Sequence, residues 1–412
     1  MPDTKMYNTH THIFNFKCVP TGFLSNYLPR PLVKLLGPLL RIGPIAWAIS
    51  RLMRLIPIEM VKKYQSFLAI GIRNTPQNVF EEMMNAYDNR TDVGFVVLPM
   101  NFDFMGGGNA PAKYITQLKL VEDVKRKYPN QCFPFLAIDP RMGTSDSIKQ
   151  FVKDHFEPFR GYHGIKLYPS LGFYPFDKRL EGMYQYAADK NIPIMTHCTR
   201  DGAFFAAKKV PDELLDFSGS FNPTSETAAR HSQPNYLNLK NLKPKDACDA
   251  FLDPMNYYDV LMKYKNLKLC FAHYGGDKEM VKFNQSTIPQ QGVLSTGFTE
   301  DTSWYFIIRE FMKMFDHIYT DISYTLYDTK VPDGVVKLVK NDLLQLSNTG
   351  SAKKDIGYRI LFGTDYFMTV QEKDERSLYV DFRKELNDPQ LWENLIYHNN
   401  KEFLSSVFYS MP

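Results

Sequence analysis

Eight short apolar segments, rich in β-branched and aromatic residues, recur along the chain and constrain its fold more than any other feature. Near-continuous apolar runs of this length are typical of strands that are buried on both faces, as in a parallel sheet. Stretches with helical spacing, such as residues 111–129 and 176–191, lie between them. Eight alternating strands and helices predict an α/β fold, the (β/α)8 or TIM barrel. The predicted strands begin with MYNTHTHIF at residues 6–14 and continue with 93–100, 132–141, 162–169, 192–200, 267–276, 317–324 and 359–367.

The chain is longer than a simple barrel of this class requires. It has 412 residues, whereas such barrels usually have roughly 250. We therefore expect one domain, residues 1–412, with long insertions after strands 1, 5 and 6, at residues 17–80, 201–250 and 277–304. Each insertion would follow the carboxyl end of a strand, the face that carries the active site in these barrels. The insertions are expected to form the walls or the lid of that site.

Charge and cysteine content narrow the class of protein. The 49 basic and 45 acidic residues give a net charge of only +4, and no basic patch interleaved with aromatic residues is present, so we expect no nucleic-acid partner. The five cysteines are scattered and form no CxxC motif, which argues against a disulfide framework. With a strand predicted from Met6, we also expect no cleavable signal peptide and a cytoplasmic location.

Residues 17–58 form the most apolar region of the chain, and this region contains no Asp or Glu. Basic residues interrupt it too often for a transmembrane span. It could be a helical lid over the active site, or it could lie on a membrane surface with its basic residues at the headgroups. We prefer the lid. The interrupting residues are Arg30, Lys34, Arg41, Arg51 and Arg54.

Histidines stand where the predicted strands end. His10 and His12 are two residues apart, so in a strand both imidazoles point to the same face and could bind one zinc, iron or manganese ion. His197 ends strand 5, His273 ends strand 6 and Asp365 ends strand 8. Each has an ordinary alternative, a hydrogen-bonded core histidine or a helix-capping aspartate. Together they predict a metal site at one end of the barrel.

This ordered set resembles the amidohydrolase superfamily, and in particular its amidohydrolase-related branch, which also holds decarboxylases similar to aminocarboxymuconate semialdehyde decarboxylase. Further similar stretches are FLAIDPR, GIKLYP, IPIMTHC, LFGTD and HNNKEFL, the last with Asn399 in the position of the branch's closing asparagine. The resemblance covers residues 6–16 and 93–404, apart from the insertions.

The resemblance implies a divalent metal cofactor, with zinc as the expected ion and one or two ions per chain. His10, His12 and either His197 or His273 would be ligands. Asp365 would bind the metal-held water, take its proton and pass it to the leaving group. Lys166, at the end of strand 4, would be carboxylated and bridge two ions in a binuclear enzyme. It could instead bind a substrate carboxylate or be a charge at the barrel rim.

Candidate substrate contacts follow other strand ends. Arg141 and Arg200 could grip a carboxylate in a two-pronged manner, although each could equally form a surface ion pair. Tyr168 and Tyr274, like Tyr324 and Tyr366, predict an aromatic pocket suited to a ring or an apolar body.

Three functions are compatible with this pattern. The favoured one is hydrolysis of a C–N or C–O bond in a small amide, lactone or ester. The second is non-oxidative decarboxylation of an aromatic or unsaturated acid on one metal ion. The third is a metal-binding barrel without catalysis, against which the complete ligand set argues. We expect a small-molecule partner. The sequence leaves the oligomeric state open, although barrels of the branch it resembles are often dimers.

Overall fold

The structure is a computed structural model, and it describes residues 5–26, 69–157, 160–200, 202–215, 239–285, 302–327, 335–344 and 355–411, together with residues 227, 230–232 and 236. Residues 27–58 of the predicted lid lie outside these ranges, as do residues 286–301 of the third predicted insertion. The lid and membrane-surface interpretations therefore both stay predictions. Within the described ranges, no helix is both long and apolar enough to cross a membrane.

Eight parallel strands form one sheet in sequence order, β1 to β8. Backbone hydrogen bonds join the first strand to the last, from Thr9 N to Phe362 O (2.9 Å) and from Asp365 N to His10 O (2.9 Å). The predicted (β/α)8 barrel is thus confirmed. The strands are β1 (Met6–Thr11), β2 (Val93–Val97), β3 (Cys132–Ile138), β4 (Gly164–Leu167), β5 (Ile194–Thr199), β6 (Leu269–Gly275), β7 (Ile318–Asp321) and β8 (Ile360–Leu361).

Helices surround the sheet and begin where the sequence offers capping groups. The first barrel helix starts at Pro76, a residue suited to a first turn, after Thr75, whose side chain accepts a hydrogen bond from Asn78 N. The helices are α1 (Pro76–Ala86), α2 (Tyr114–Lys127), α3 (Ser145–Phe156), α4 (Glu181–Asp189), α5 (Asp212–Leu215), α6 (Pro244–Leu252), α7 (Tyr258–Lys263), α8 (Asp277–Gln285), α9 (Trp304–Met314), α10 (Val335–Leu343), α11 (Glu375–Leu386), α12 (Pro389–Glu393) and α13 (Asn399–Leu404).

The predicted element boundaries differ from the observed ones in a consistent way. The helices predicted at 111–129 and 176–191 correspond to α2 and α4, which are shorter at both ends. The predicted insertions 17–80 and 201–250 run into α1 and α6. Apolar periodicity extends beyond the last helical hydrogen bond, because loop residues next to a helix also pack on the core.

Large side chains close the amino-terminal end of the barrel. Tyr7, Phe133 and Phe135 point into the barrel and belong to the same apolar cluster as Phe403 and Leu404 of α13. Burial of each such side chain contributes roughly 1.5–3 kcal/mol. The polar strand-end residues are therefore left at the opposite, carboxyl-terminal end of the sheet. The five cysteines are free and buried within this framework.

Candidate metal centre and substrate cavity

Three of the predicted ligands meet at the carboxyl end of the barrel. Asp365 Oδ1 lies 3.1 Å from His12 Nε2 and 3.5 Å from His10 Nε2, and all three residues are buried. Their candidate ligand atoms lie within 4.8 Å of one another. Ligand atoms bound at about 2.0–2.2 Å in a tetrahedral site stand roughly 3.4 Å apart. The spacing therefore fits a single divalent ion.

The hydrogen bonds of the two β1 histidines fix which ring nitrogen faces this point. His10 Nδ1 lies 2.9 Å from Asp321 Oδ2, and His12 Nδ1 lies 2.8 Å from Leu98 O. A carbonyl or carboxylate oxygen only accepts, so Nδ1 carries the proton in each neutral ring and Nε2 offers a lone pair. The buried His10 Nε2 has no hydrogen-bond partner among the described residues. An ion at this point would satisfy it.

His197 and His273 lie beside this group and contact each other. His273 Nδ1 is 3.1 Å from Ser323 O, and its Nε2 is 3.0 Å from His197 Nδ1. The His197 ring is stacked on Tyr168, with ring centroids 4.1 Å apart. Because the His273 Nδ1 proton goes to a carbonyl oxygen, we infer that His197 donates to His273 Nε2. Of the two, only His273 belongs to a group with ligand spacing, together with His10 and Asp321.

That second group is connected by hydrogen bonds through Ser323. Asp321 Oδ1 accepts from the backbone N–H groups of His273 and Ser323, each at 3.0 Å, and from the Ser323 hydroxyl. Ser323 Oγ also lies 3.0 Å from His10 Nδ1 and 2.9 Å from His273 Nδ1. The same atoms that could bind an ion are thus already paired, and this group orients the histidines. Asp321 is not among the residues predicted from the sequence, although it ends strand 7 as the predicted ligands end theirs.

Burial favours the neutral form of His10 and His273. Desolvation, with smaller contributions from Lys166 and His12, keeps the pKa of His10 well below its usual value. Desolvation and the neighbouring His10 and His197 do the same to the pKa of His273. A neutral imidazole is the form that binds a metal ion, so no proton has to leave these rings first.

Lys166 is fully buried at the end of β4. Its Nζ has no hydrogen-bond partner in the described part of the chain and lies 5.8 Å from the centre of the Tyr168 ring. Burial lowers its pKa to about 8, against the opposing attraction of Asp321 and Asp365. A substantial fraction of the amine is therefore uncharged at slightly alkaline pH.

Several site residues adopt backbone conformations that are uncommon outside glycine. His273, Tyr324 and Asp365 have φ values of 70°, 61° and 63°. Each follows or ends a strand, and each such residue costs of the order of 1–3 kcal/mol. In the case of Asp365 the backbone hydrogen bond to His10 holds the conformation. These turns direct the side chains towards the barrel axis.

An open cavity of about 570 Å³ lies above the candidate metal centre. Most of its wall is aromatic or aliphatic, and the described lining contains no Arg or Lys. Close contact between Gly22 N and Gly107 O (2.9 Å) holds the segment that carries Phe23 against the loop after β2. The lining residues are His12, Phe14, Phe23, Met100, Phe102, Tyr168, His197, Thr199, Gly202, Ala203, His273, Tyr324, Asp365, Met368 and Gln371.

Tyr168 and Tyr324 line the cavity, whereas its described lining does not include Arg141, Arg200, Tyr274 or Tyr366. Arg141 is paired with Asp139 (2.8 and 2.5 Å). Arg200 donates to Glu279 at 2.9 Å, and its guanidinium stacks on Trp304.

Tyr274 donates to Asp342 at 2.8 Å, and its ring is buried in contact with Tyr305 of α9. Arg141, Arg200 and Tyr274 thus each have partners within the protein, and their contact with a substrate stays a prediction.

Comparison with known proteins shows a shared fold and low sequence identity. No protein-family model and no curated protein matches the chain. The structure of 5-carboxyvanillate decarboxylase from Novosphingobium aromaticivorans, with manganese and 4-hydroxy-3-methoxy-5-nitrobenzoic acid, matches over 98% of this chain and 96% of that chain, at 12% identity and a TM-score of 0.50.

Two further matches have lower TM-scores. A probable 2-pyrone-4,6-dicarboxylic acid hydrolase from Acinetobacter baumannii, with citric acid bound, matches over 97% and 99% of the two chains, at 11% identity and a TM-score of 0.46. A structure of an amidohydrolase II matches over 97% and 99%, at 14% identity and a TM-score of 0.49. The chain therefore has the barrel fold of the decarboxylase.

Proposed function

We propose that this chain is a metal-dependent enzyme of the amidohydrolase superfamily that hydrolyses a C–N or C–O bond of a small, neutral carbonyl compound. An amide, a lactone or an ester would be the substrate. The observation that carries this proposal is the position of Asp365. Its Oδ1 lies 3.1 Å from His12 Nε2 and 3.5 Å from His10 Nε2, the two nitrogen atoms that offer lone pairs. Asp365 also lines the cavity.

His10, His12 and Asp365 would hold one ion, with His197 and His273 beside it. Zinc is our first candidate, because two imidazoles and a carboxylate form a donor set typical of catalytic zinc. Manganese is the second, since the decarboxylase with the same fold was obtained with that metal. When bound, the ion would lower the pKa of a water molecule and polarise the carbonyl oxygen of the substrate.

The protein groups perform the proton transfers. Asp365 would take the proton of the attacking water and return it to the leaving nitrogen or oxygen. The apolar lining, which includes Phe14 and Phe102, would exclude other water molecules and strengthen the electrostatic interactions inside. Tyr168, stacked on His197, offers a flat surface to the body of the substrate.

The lining favours a neutral substrate. With Arg141 and Arg200 bound to Asp139 and Glu279, no guanidinium in the described lining is available to grip a carboxylate. Burying an unpaired carboxylate among aromatic rings is costly. An uncharged ester, lactone or amide with an aromatic or aliphatic body avoids that cost.

Decarboxylation of an aromatic acid is the second candidate, and the aromatic lining favours it. A carboxylate desolvated among apolar side chains is destabilised relative to a transition state in which its charge is spread. Asp365 would then deliver a proton to carbon. The shared fold with a decarboxylase adds support at the level of architecture.

We propose one ion per chain, because the group around Asp321 is already hydrogen bonded. Carboxylation of Lys166 would be required for a bridged pair of ions, and its depressed pKa is compatible with that reaction. The metal count distinguishes the two cases. A cytoplasmic location stays a prediction from the sequence, and the oligomeric state stays open.

Elemental analysis of protein purified without chelator tests the proposal, together with His12→Gln and, as a matched control, His163→Gln. His163 is a buried histidine stacked on Tyr409, away from the cavity. We expect about one ion per chain in the wild type and the control, and a large loss in His12→Gln.

The metal-loaded protein is then offered esters, lactones and amides, and separately aromatic acids with detection of CO₂. Hydrolysis supports the first function and CO₂ release the second. About two ions per chain would contradict the single-ion centre, and no metal even after zinc or manganese is added would refute the function.

A further inference from the structure

A buried carboxyl group, that of Glu375, lies behind the strand ends that carry the candidate ligands. Glu375 is the first residue of α11. Its Oε1 accepts hydrogen bonds from the hydroxyls of Tyr87 (2.6 Å) and Thr364 (2.7 Å) and from the side-chain amide of Asn8 (3.2 Å). We propose that Glu375 is a positioning residue that fixes the orientation of His10 and Asp365 towards the metal ion. This inference rests on the proposed function.

The first connection runs through Asn8 to β1. Asn8 Nδ2 lies 2.7 Å from the hydroxyl oxygen of Thr364, 3.0 Å from that of Tyr87 and 3.2 Å from Glu375 Oε1. Both hydroxyls give their protons to Glu375, so their oxygens face Asn8 as acceptors and the NH₂ group is held on this side. Asn8 Oδ1 is thereby left to accept from the backbone N–H groups of His10 (3.3 Å) and Thr364 (3.1 Å). If the amide of Asn8 turned over, both backbone contacts would be lost. Glu375 thus determines the direction of the bonds that join β1 to the end of β8.

The second connection runs through Thr364 to Asp365. The Thr364 hydroxyl donates to Glu375, so its oxygen can accept from Tyr366 N at 3.3 Å. Thr364 and Tyr366 are the two neighbours of Asp365 in the chain. Asp365 itself has a φ of 63° and donates its N–H to His10 O. Both flanks of this strained residue are therefore held by a network that ends at Glu375.

No ion pair stabilises the buried carboxyl group of Glu375 within the described part of the chain. Among the described residues no Lys or Arg pairs with it, and Oε2 has no hydrogen-bond partner. Burial raises the pKa of Glu375 to about 7, against the lowering effect of Tyr87 and Thr364. A buried carboxyl group without a cation destabilises a fold unless its oxygen atoms are needed as acceptors. Here one oxygen receives three donors from three different segments.

A purely structural role would also fit a buried carboxyl, and Asp342 provides the comparison. Asp342 is buried on α10, accepts from the hydroxyls of Tyr274 (2.8 Å) and Tyr305 (2.6 Å), and pairs with Arg309 (2.9 Å). None of these groups lines the cavity. Removing either carboxyl group should lower the melting temperature, whereas only the loss of Glu375 should alter the metal centre.

The test measures metal affinity separately from activity. Full-length wild type, Glu375→Ala, Glu375→Gln and Asp342→Ala are stripped with chelator and titrated with Co²⁺, with binding followed by visible absorption and stability by thermal unfolding. We expect Co²⁺ to bind Glu375→Ala 10–100-fold more weakly, the usual effect of losing a partner that orients metal ligands. Glu375→Gln, which keeps an acceptor at Oε1, should bind within a few-fold of wild type. Asp342→Ala should lose stability and keep its affinity.

Two results would overturn the inference. One is unchanged Co²⁺ affinity in Glu375→Ala, and the other is an equal loss of affinity in Asp342→Ala. If Glu375→Ala does not fold, Thr364→Val removes the hydroxyl link at nearly constant volume, and unchanged affinity in that variant overturns the inference in the same way. A wild-type chain that binds no Co²⁺ refutes the proposed function, and this inference with it.

Discussion

Replacing Asp321 by Asn should disable the metal centre by changing the proton on His10. Asp321 Oδ1 accepts backbone N–H groups from His273 and Ser323, so the oxygen of the new amide must stay there. The amide NH₂ would then face His10 Nδ1, which is 2.9 Å from Oδ2 in the native chain. Two donors cannot share that contact, so the proton of the imidazole moves to Nε2. The lone pair that faces Asp365 is lost.

The expected loss of metal affinity follows from this single change of tautomer. Loss of an outer partner of a metal ligand usually weakens metal binding 10–100-fold, which corresponds to about 1.4–2.7 kcal/mol. The side chains have the same shape, so the free energy of unfolding of the metal-free chain should fall by only about 1 kcal/mol. Affinity for the metal should thus change more than stability does.

Titration of metal-free Asp321→Asn with Co²⁺, beside urea unfolding, separates the two effects. Asp139→Asn is the matched control, because Asp139 is buried at the end of β3 and pairs with Arg141 away from the cavity. The control should bind Co²⁺ as wild type does. If Asp321→Asn also binds with wild-type affinity, Asp321 does not set the tautomer of His10 and the reasoning is refuted.

Three further predictions concern pH, chemistry and packing. Burial raises the pKa of Glu375 from 4.5 to about 7. The stability that protonated Glu375 contributes to the metal-free fold is therefore fully present below pH 4.5 and is lost as the pH rises through 7. The loss in the free energy of unfolding is about 3 kcal/mol. The buried histidines titrate in both proteins, so the test is the free energy of unfolding of wild type minus that of Glu375→Gln, measured with urea at pH 4.5 and 8. This difference should fall by that amount as the pH rises, and an unchanged difference would contradict the prediction. Asp365→Asn should lower kcat on the hydrolysed substrate by about 10²–10⁴, and a rate within threefold of wild type would exclude Asp365 as the base. Gly22→Ala should destabilise the chain by about 1–3 kcal/mol and raise KM. The new Cβ would lie 2.4 Å from Gly107 Cα and would displace the segment that carries Phe23. An unchanged urea midpoint together with an unchanged KM would refute this contact.

The cluster of candidate ligands could be predicted from the sequence because two regular patterns overlap. A strand repeats every two residues, which places His10 and His12 on one face. A parallel barrel brings the carboxyl ends of all its strands to one rim, which adds His197, His273 and Asp365. Neither step needs knowledge of loops. Asp321, at the end of strand 7, satisfies the same two patterns, although the set that resembles the superfamily does not include it.

Side chains at the turns where strands end could not be placed in this way. The backbone at Tyr274 has a φ of 51°, and its side chain lies against Asp342, which is 68 residues further along the chain. Arg141 is held by Asp139, the cap of the short helix that follows β3. In both cases a turn and a distant partner set the direction of the side chain. Strand periodicity does not contain that information.

The hydrogen bonds that close the barrel also bring the candidate metal ligands together. The last strand, β8, has only two residues, and most of its junction with β1 lies beyond it. Asp365 N donates to His10 O, and His12 N donates to Tyr366 O. An ion held by His10, His12 and Asp365 would therefore cross-link the two sides of this junction.

Such an ion binds only the closed barrel, and at a free concentration 100 times its dissociation constant it stabilises the fold by about 2.7 kcal/mol. The junction between β1 and β8 is accordingly where the chain should open first when the metal is removed. Amide hydrogen exchange should show this as faster exchange at residues 9–12 and 362–366 than in the strands β3 to β6. Equal protection across all strands after chelation would mean that the ion and the closure of the barrel are independent.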